Sequence, residues 1–219
     1  MRVIGQMVAL VALFHAEPNQ GGCIDKMHCM NQIPILSQLV TFLHELGHAM
    51  AAMATGGHVL ALQVNLDGSG FCTTSGGSRA LVLCGGYVGS VLFGNIMLYV
   101  GIHYKFLSRI FSAGMAFGMV LVSLMWFSTL ISFAFTFLVG GLLLFLFMKV
   151  AWAGRAFMII AGAYSILYVL HDYRIGPSSD LQAFASVMGL TPLLWMYIWL
   201  GIAVAITGGF LFLTMKGKN

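Results

Sequence analysis

Residues 33–55 read IPILSQLVTFLHELGHAMAAMAT, a run whose one formal charge is Glu45. Its length suits a bilayer-crossing helix, which takes about 20 residues. Pro34 suits the first turn of that helix, and Gly56-Gly57 suits its stop. His44 and His48 stand four apart, so on a helix both imidazoles leave one face, about a turn from each other. That is the spacing at which a single zinc ion takes two of its ligands. Glu45 adjoins the first of them, where its carboxylate can accept a proton from water that a metal activates. A carboxylate near the middle of a membrane helix costs about 2.5–3.5 kcal/mol, and catalysis is the reason for its presence that we favour. The bland alternative is two buried histidines bonded to neighbouring helices, with Glu45 paired to one of them.

Composition agrees with a membrane setting. Of 219 residues, 60% are hydrophobic and 7% charged, against about a quarter charged in soluble domains. This is the make-up of an integral, multi-pass membrane protein in contact with the lipid bilayer. The net charge of +4 comes from Lys and Arg scattered between apolar runs, with no basic cluster interleaved with aromatics, so nucleic-acid binding is set aside. Cys23 and Cys29 bracket His28, but their spacing is not that of a CxxC metal site. A disulfide between them requires an oxidising compartment. Cys84 falls in an apolar span as a small buried side chain.

Two regions are expected. Residues 1–32 combine a short apolar run, 1–14, with a polar loop. The run resembles the front of a signal peptide, or an interfacial or re-entrant helix, and the sequence leaves these open. Residues 33–219 form the membrane domain. After the His44–His48 helix, alternation over 58–66 and the Asp67-Gly68 turn signal predict a β-hairpin, just outside the membrane boundary or dipping into it. Further apolar spans run over about 80–103, 110–128, 130–148, 152–171 and 193–213, and a short amphipathic helix over 180–189. The expected fold is an all-α polytopic membrane protein of about six transmembrane helices plus a short β-hairpin. Gly85-x-x-x-Gly89 and Gly114-x-x-x-Gly118 are patterns that permit close helix packing, or glycines a membrane helix merely tolerates. Lys26, Lys105, Arg109, Lys149, Arg155, Lys216 and Lys218 gather on the side where residues 33–55 begin, which makes that side cytoplasmic. His48, the hairpin, Asp172 and Asp180 then lie toward the other face.

A catalytic zinc takes three protein ligands and keeps one position open. Glu17 and Asp25 lie on the wrong side for the third. Asp180 opens the short helix, where a cap or first-turn acid is its ordinary role. Asp172 closes the fifth span beside Arg174, where an interfacial charge is ordinary. Asp67 is sufficiently explained by the turn, and His58 and His171 suit interfaces. Asp180 and Asp172 are the leading candidates, in that order, with Asp67 behind them.

The chain resembles the site-2 proteases, intramembrane zinc metallopeptidases, and within them the compact branch without added soluble domains. The likeness runs through Leu43-His44-Glu45-Leu46-Gly47-His48-Ala49, Thr55-Gly56-Gly57-His58-Val59 and Asn65-Leu66-Asp67-Gly68-Ser69-Gly70. It continues through Gly85-Gly86-Tyr87-Val88-Gly89-Ser90 and Ser179-Asp180-Leu181-Gln182-Ala183. It implies one zinc ion per chain held by His44, His48 and a distant aspartate, with Glu45 as general base. It further implies a transmembrane or membrane-tethered protein as substrate. Two features depart from the pattern. Larger relatives carry the ligand aspartate in an Asn-Pro-Asp-Gly or Leu-Asp-Gly motif on a later span; here the only Leu-Asp-Gly is 66–68, too early, and Leu170-His171-Asp172 lacks the glycine. The charge count also opposes the larger relatives, whose site lies nearer the cytoplasm.

An unwound substrate is expected to pair with the hairpin edge around 59–66. Asn95 is a candidate donor to a developing oxyanion, with an interhelical hydrogen bond as its ordinary role. The rival class is a non-catalytic membrane zinc-binding scaffold or carrier. A carrier needs polar groups along one pathway on several spans, and the third, fourth and sixth carry almost none.

Overall fold

The computed structural model describes residues 34–65, 68–126, 130–150, 152–171 and 179–216. In chain order they form α1 (Pro34–Ala54), β1 (His58–Val64), β2 (Gly70–Ser75), α2 (Arg79–His103), α3 (Lys105–Met125), α4 (Leu130–Lys149), α5 (Ala153–His171), α6 (Asp180–Met188) and α7 (Pro192–Lys216). The expectations for the N-terminal segment, Cys23, Cys29, Asp67 and Asp172 lie outside the described residues.

The six apolar segments and the short amphipathic one each become a helix, and the protein is mostly helical with one small antiparallel sheet. Among the described residues, α2, α3 and α7 are long and apolar enough to cross a membrane, and α4 and α5 contain shorter apolar stretches. α1 falls outside this set because Ser37, Gln38, Thr41, His44, Glu45 and His48 dilute its apolar residues. One boundary differs from expectation: α3 starts at Lys105, with only Tyr104 separating it from α2. Residues 104–109 fall between two expected spans, but Arg109 lies within the helix and its side chain is engaged there. Its guanidinium donates to the carbonyls of Phe147 and Met148 at the end of α4. Arg155 does the same for α2, at Gly101 O (2.9 Å) and Ile102 O (3.1 Å). Both satisfy carbonyls that a helix end leaves without partners.

α2 packs against α1, α5, α6 and α7. Its approach to α1 is set by glycine: a Cβ on Gly47 would stand 2.2 Å from the Gly85 carbonyl oxygen, and one on Gly89 would stand 3.1 Å from Gly47 Cα. The Gly85-x-x-x-Gly89 pattern is therefore a packing surface. Gly114 and Gly118 have nothing within 4 Å of their Cβ positions, so that pattern joins no helices among the described residues. The buried Asn95 and Ser90 of α2 are bonded, as an apolar interior requires. Asn95 donates to Val91 O and to Thr207 Oγ1 of α7 (3.1 Å), and Ser165 Oγ donates to Ser90 O. Leu39, Phe42 and Leu43 of α1 share a core with Met97, Met119, Met158 and the hairpin residues Leu62 and Val64.

α1 ends where Gly56 adopts φ +82°, a left-handed turn that glycine takes without a Cβ clash. The chain then doubles back as the hairpin, paired from His58↔Ser75 to Val64↔Gly70 with a bulge between Val59 and Ala61. Thr41 Oγ1 donates to Gly68 O at 2.7 Å, so the tip returns to the middle of α1. The hairpin thus lies along the helix and covers Glu45. On the outer side of β1, Trp126 Nε1 donates to Val59 O (3.4 Å), and α3 and α4 close around Leu62, Gln63 and Val64.

Candidate metal centre

His44 and His48 leave α1 on the side facing α2. Opposite them, α6 presents Asp180 in its first turn, behind the N-cap Ser179, whose hydroxyl accepts from Gln182 N–H (3.2 Å). α6 is too short to be stable alone and is anchored by its apolar face. Leu181 and Phe184 are buried with Tyr87 of α2 and Trp199 of α7, and the Phe184 and Trp199 rings meet at 5.0 Å. This packing brings Asp180 to residues 132 and 136 positions earlier in the chain.

Three atoms converge. Asp180 Oδ2 lies 3.0 Å from His44 Nε2 and 3.1 Å from His48 Nε2, and the two nitrogens are 3.1 Å apart. Zinc bonds of about 2.0–2.1 Å in a tetrahedron separate ligand atoms by about 3.3 Å, so this triangle is close to one face of such a site. His48 Nδ1 lies 2.6 Å from Val82 O, a contact that requires its proton there. In the neutral ring Nε2 is then a bare lone pair, facing a carboxylate oxygen that also lacks a proton. Two acceptors at 3.1 Å repel unless a cation stands between them, either a proton or a metal. The donor set therefore fits a divalent ion, with Val82 O fixing the tautomer from the outer shell.

His44 is oriented by ring contacts, edge-on to His48 (4.7 Å) and to Tyr87 (4.8 Å). His44 and Asp180 retain 21% and 27% side-chain exposure, which leaves the centre approachable from one side, while His48 is sealed at 8%. Burial pushes the Asp180 carboxyl up, but with a proton as the shared cation the hydrogen bonds from the two imidazoles outweigh this and hold it well below the usual carboxylate range. Glu45 is buried under the hairpin: a Cβ on Gly70 would lie 3.0 Å from Glu45 Cγ. Cys72 of β2 is also nearby, and burial with the Glu45 charge pushes its thiol up to about 12, so it stays protonated.

Among the described residues, His44, His48 and Asp180 form the one group of His, Cys, Asp and Glu side chains close enough to share an ion. A family model described as Peptidase M50B-like matches residues 6–210. The chain belongs to this family. No curated protein and no solved structure matches the chain. Membership makes it a membrane protein of the site-2 protease type. Of the family-related positions, Asp180 is the aspartate brought to the histidines; Asp172 and Asp67 are outside the described residues, and His58 is exposed. Asn95 makes the interhelical bond to Thr207. Val82 was not anticipated, because a backbone carbonyl has no side-chain signature to read.

Proposed function

We propose that this protein is a zinc-dependent, multi-pass intramembrane endopeptidase that cleaves a membrane-embedded or membrane-tethered protein. The observation that carries the reading is the convergence of His44, His48 and Asp180 around one point, with Glu45 adjacent to the first ligand. His44 Nε2, His48 Nε2 and Asp180 Oδ2 would hold the ion. Zinc, when bound, supplies Lewis acidity that activates water and polarises the scissile carbonyl. Glu45 takes the proton from the attacking water on its carboxylate and delivers it to the leaving amine nitrogen. The hairpin over Glu45 excludes bulk water and keeps the carboxylate in a medium where its charge acts strongly.

A helical substrate must be unwound before its amide is reachable, and an extended segment then needs backbone partners. We place that pairing on β2 and not on the 59–66 edge, whose outer side is occupied by Trp126 and by α3 and α4. β2 passes Glu45 at Gly70 and Cys72, and no second strand flanks it among the described residues.

The test is Glu45→Gln in purified protein reconstituted with a tethered membrane-helix substrate, measuring zinc and cleavage together. Retained zinc with a loss of cleavage of about 100-fold or more is expected from removing a general base. Unchanged biological activity without Glu45 would instead support a zinc-binding scaffold.

A further inference from the structure

We infer that Gly86 belongs to the metal centre by having no side chain: its bare Cα keeps clear the space beside both Nε2 atoms that a shared ion needs. The inference rests on the metal reading above, but not on protease activity. A Cβ built on Gly86 would stand 2.5 Å from His48 Nε2, 2.6 Å from His44 Nε2 and 2.6 Å from His48 Cε1. These distances are far inside ordinary carbon contact, about 3.5–4.0 Å. They also put the methyl within about half an ångström of the zinc–nitrogen bond length from both nitrogens. One volume therefore cannot hold a methyl group beside an ion gripped by both rings.

The neighbouring glycine has a different task. A Cβ on Gly85 would meet Gly47 O at 2.7 Å and Ala51 Cβ at 2.8 Å, so Gly85 serves the α1–α2 crossing. For Gly86 the three nearest atoms are all imidazole atoms. His48 cannot readily swing away, since its Nδ1 is held at 2.6 Å by Val82 O. Val82 and Gly86 are one turn apart on α2, so a single helical face steadies the ring at one nitrogen and makes room at the other.

The experiment compares wild type with Gly86→Ala, both stripped of metal in detergent and then titrated with Zn²⁺ against a chromophoric chelator. Thermal melts of the apo and Zn²⁺-treated forms are recorded alongside. The expected result is an apo form that folds but melts below wild-type apo protein, because the methyl presses on the imidazoles even without metal, with Zn²⁺ affinity lowered by about 100-fold or more, beyond what outer-shell changes usually cost. Zn²⁺ should raise the melting temperature of wild type only. Wild-type stoichiometry and affinity in Gly86→Ala would overturn the inference. Should that variant not fold, it is combined with His44→Ala and His48→Ala. Folding restored by removing the rings supports a collision at the imidazoles, and folding not restored overturns it. A wild-type protein that binds Zn²⁺ but cleaves nothing sinks the protease reading and leaves this inference standing; one that binds no Zn²⁺ sinks both.

Discussion

Asp180 is joined to His44 and His48 by contacts of 3.0 and 3.1 Å, which supports it as the third ligand of the proposed centre. Asp180→Asn should weaken Zn²⁺ binding by more than the about 10–100-fold typical of outer-shell changes, while Asp172→Asn leaves it within a few-fold of wild type. Chelator-competition titration of both variants checks this, and the reverse ranking would remove Asp180 from the centre. The histidine pair was legible in the sequence because its geometry is local: four residues on a helix suffice. The third ligand was legible only as a short list of acids. Its selection depends on a fold that closes a loop of more than a hundred residues, which no local spacing encodes. Val82 and Gly86 were less visible still, one acting through a carbonyl and the other through an absent side chain.

Elements transmit these positions. α6 holds Asp180 through Leu181 and Phe184 against Tyr87 and Trp199, so damage to the aromatic contact should reach the metal. Trp199→Ala should cost about 3–5 kcal/mol of stability by cavity formation and lower Zn²⁺ affinity as well. Unfolding in detergent and metal titration would reveal it, and a stability loss with unchanged affinity would uncouple α6 from Trp199. At the α1–α2 crossing, Gly47→Ala drives a methyl into the Gly85 carbonyl and should destabilise by about 1–3 kcal/mol or more. Gly114→Ala meets open space and should be neutral or gain up to about 1 kcal/mol of helix propensity. Both glycine pairs look alike in sequence, and only the neighbouring helix distinguishes them. The start of α3 was misread for a similar reason. The apolar run starts at about 110, whereas the helix begins at Lys105 and Arg109 turns its charge to the terminal carbonyls of α4.

At the scale of the molecule, helix content and the hairpin follow from hydropathy period and turn chemistry, and both were readable. The path of the hairpin was not. The bond from Thr41 to Gly68 lays it back along α1, with Glu45 beneath it. A functional helix also hides itself from hydropathy: α1 carries the polar groups of the centre and so loses the apolarity that marks α2, α3 and α7. The account stands on one ion shared by two rings and a carboxylate. Zinc K-edge X-ray absorption on the purified wild-type protein tests it most directly. It predicts a first shell of nitrogen and oxygen only, at about 2.0–2.1 Å, with scattering from two imidazoles. A sulfur shell at about 2.3 Å, or a zinc site without imidazole scattering, would contradict it.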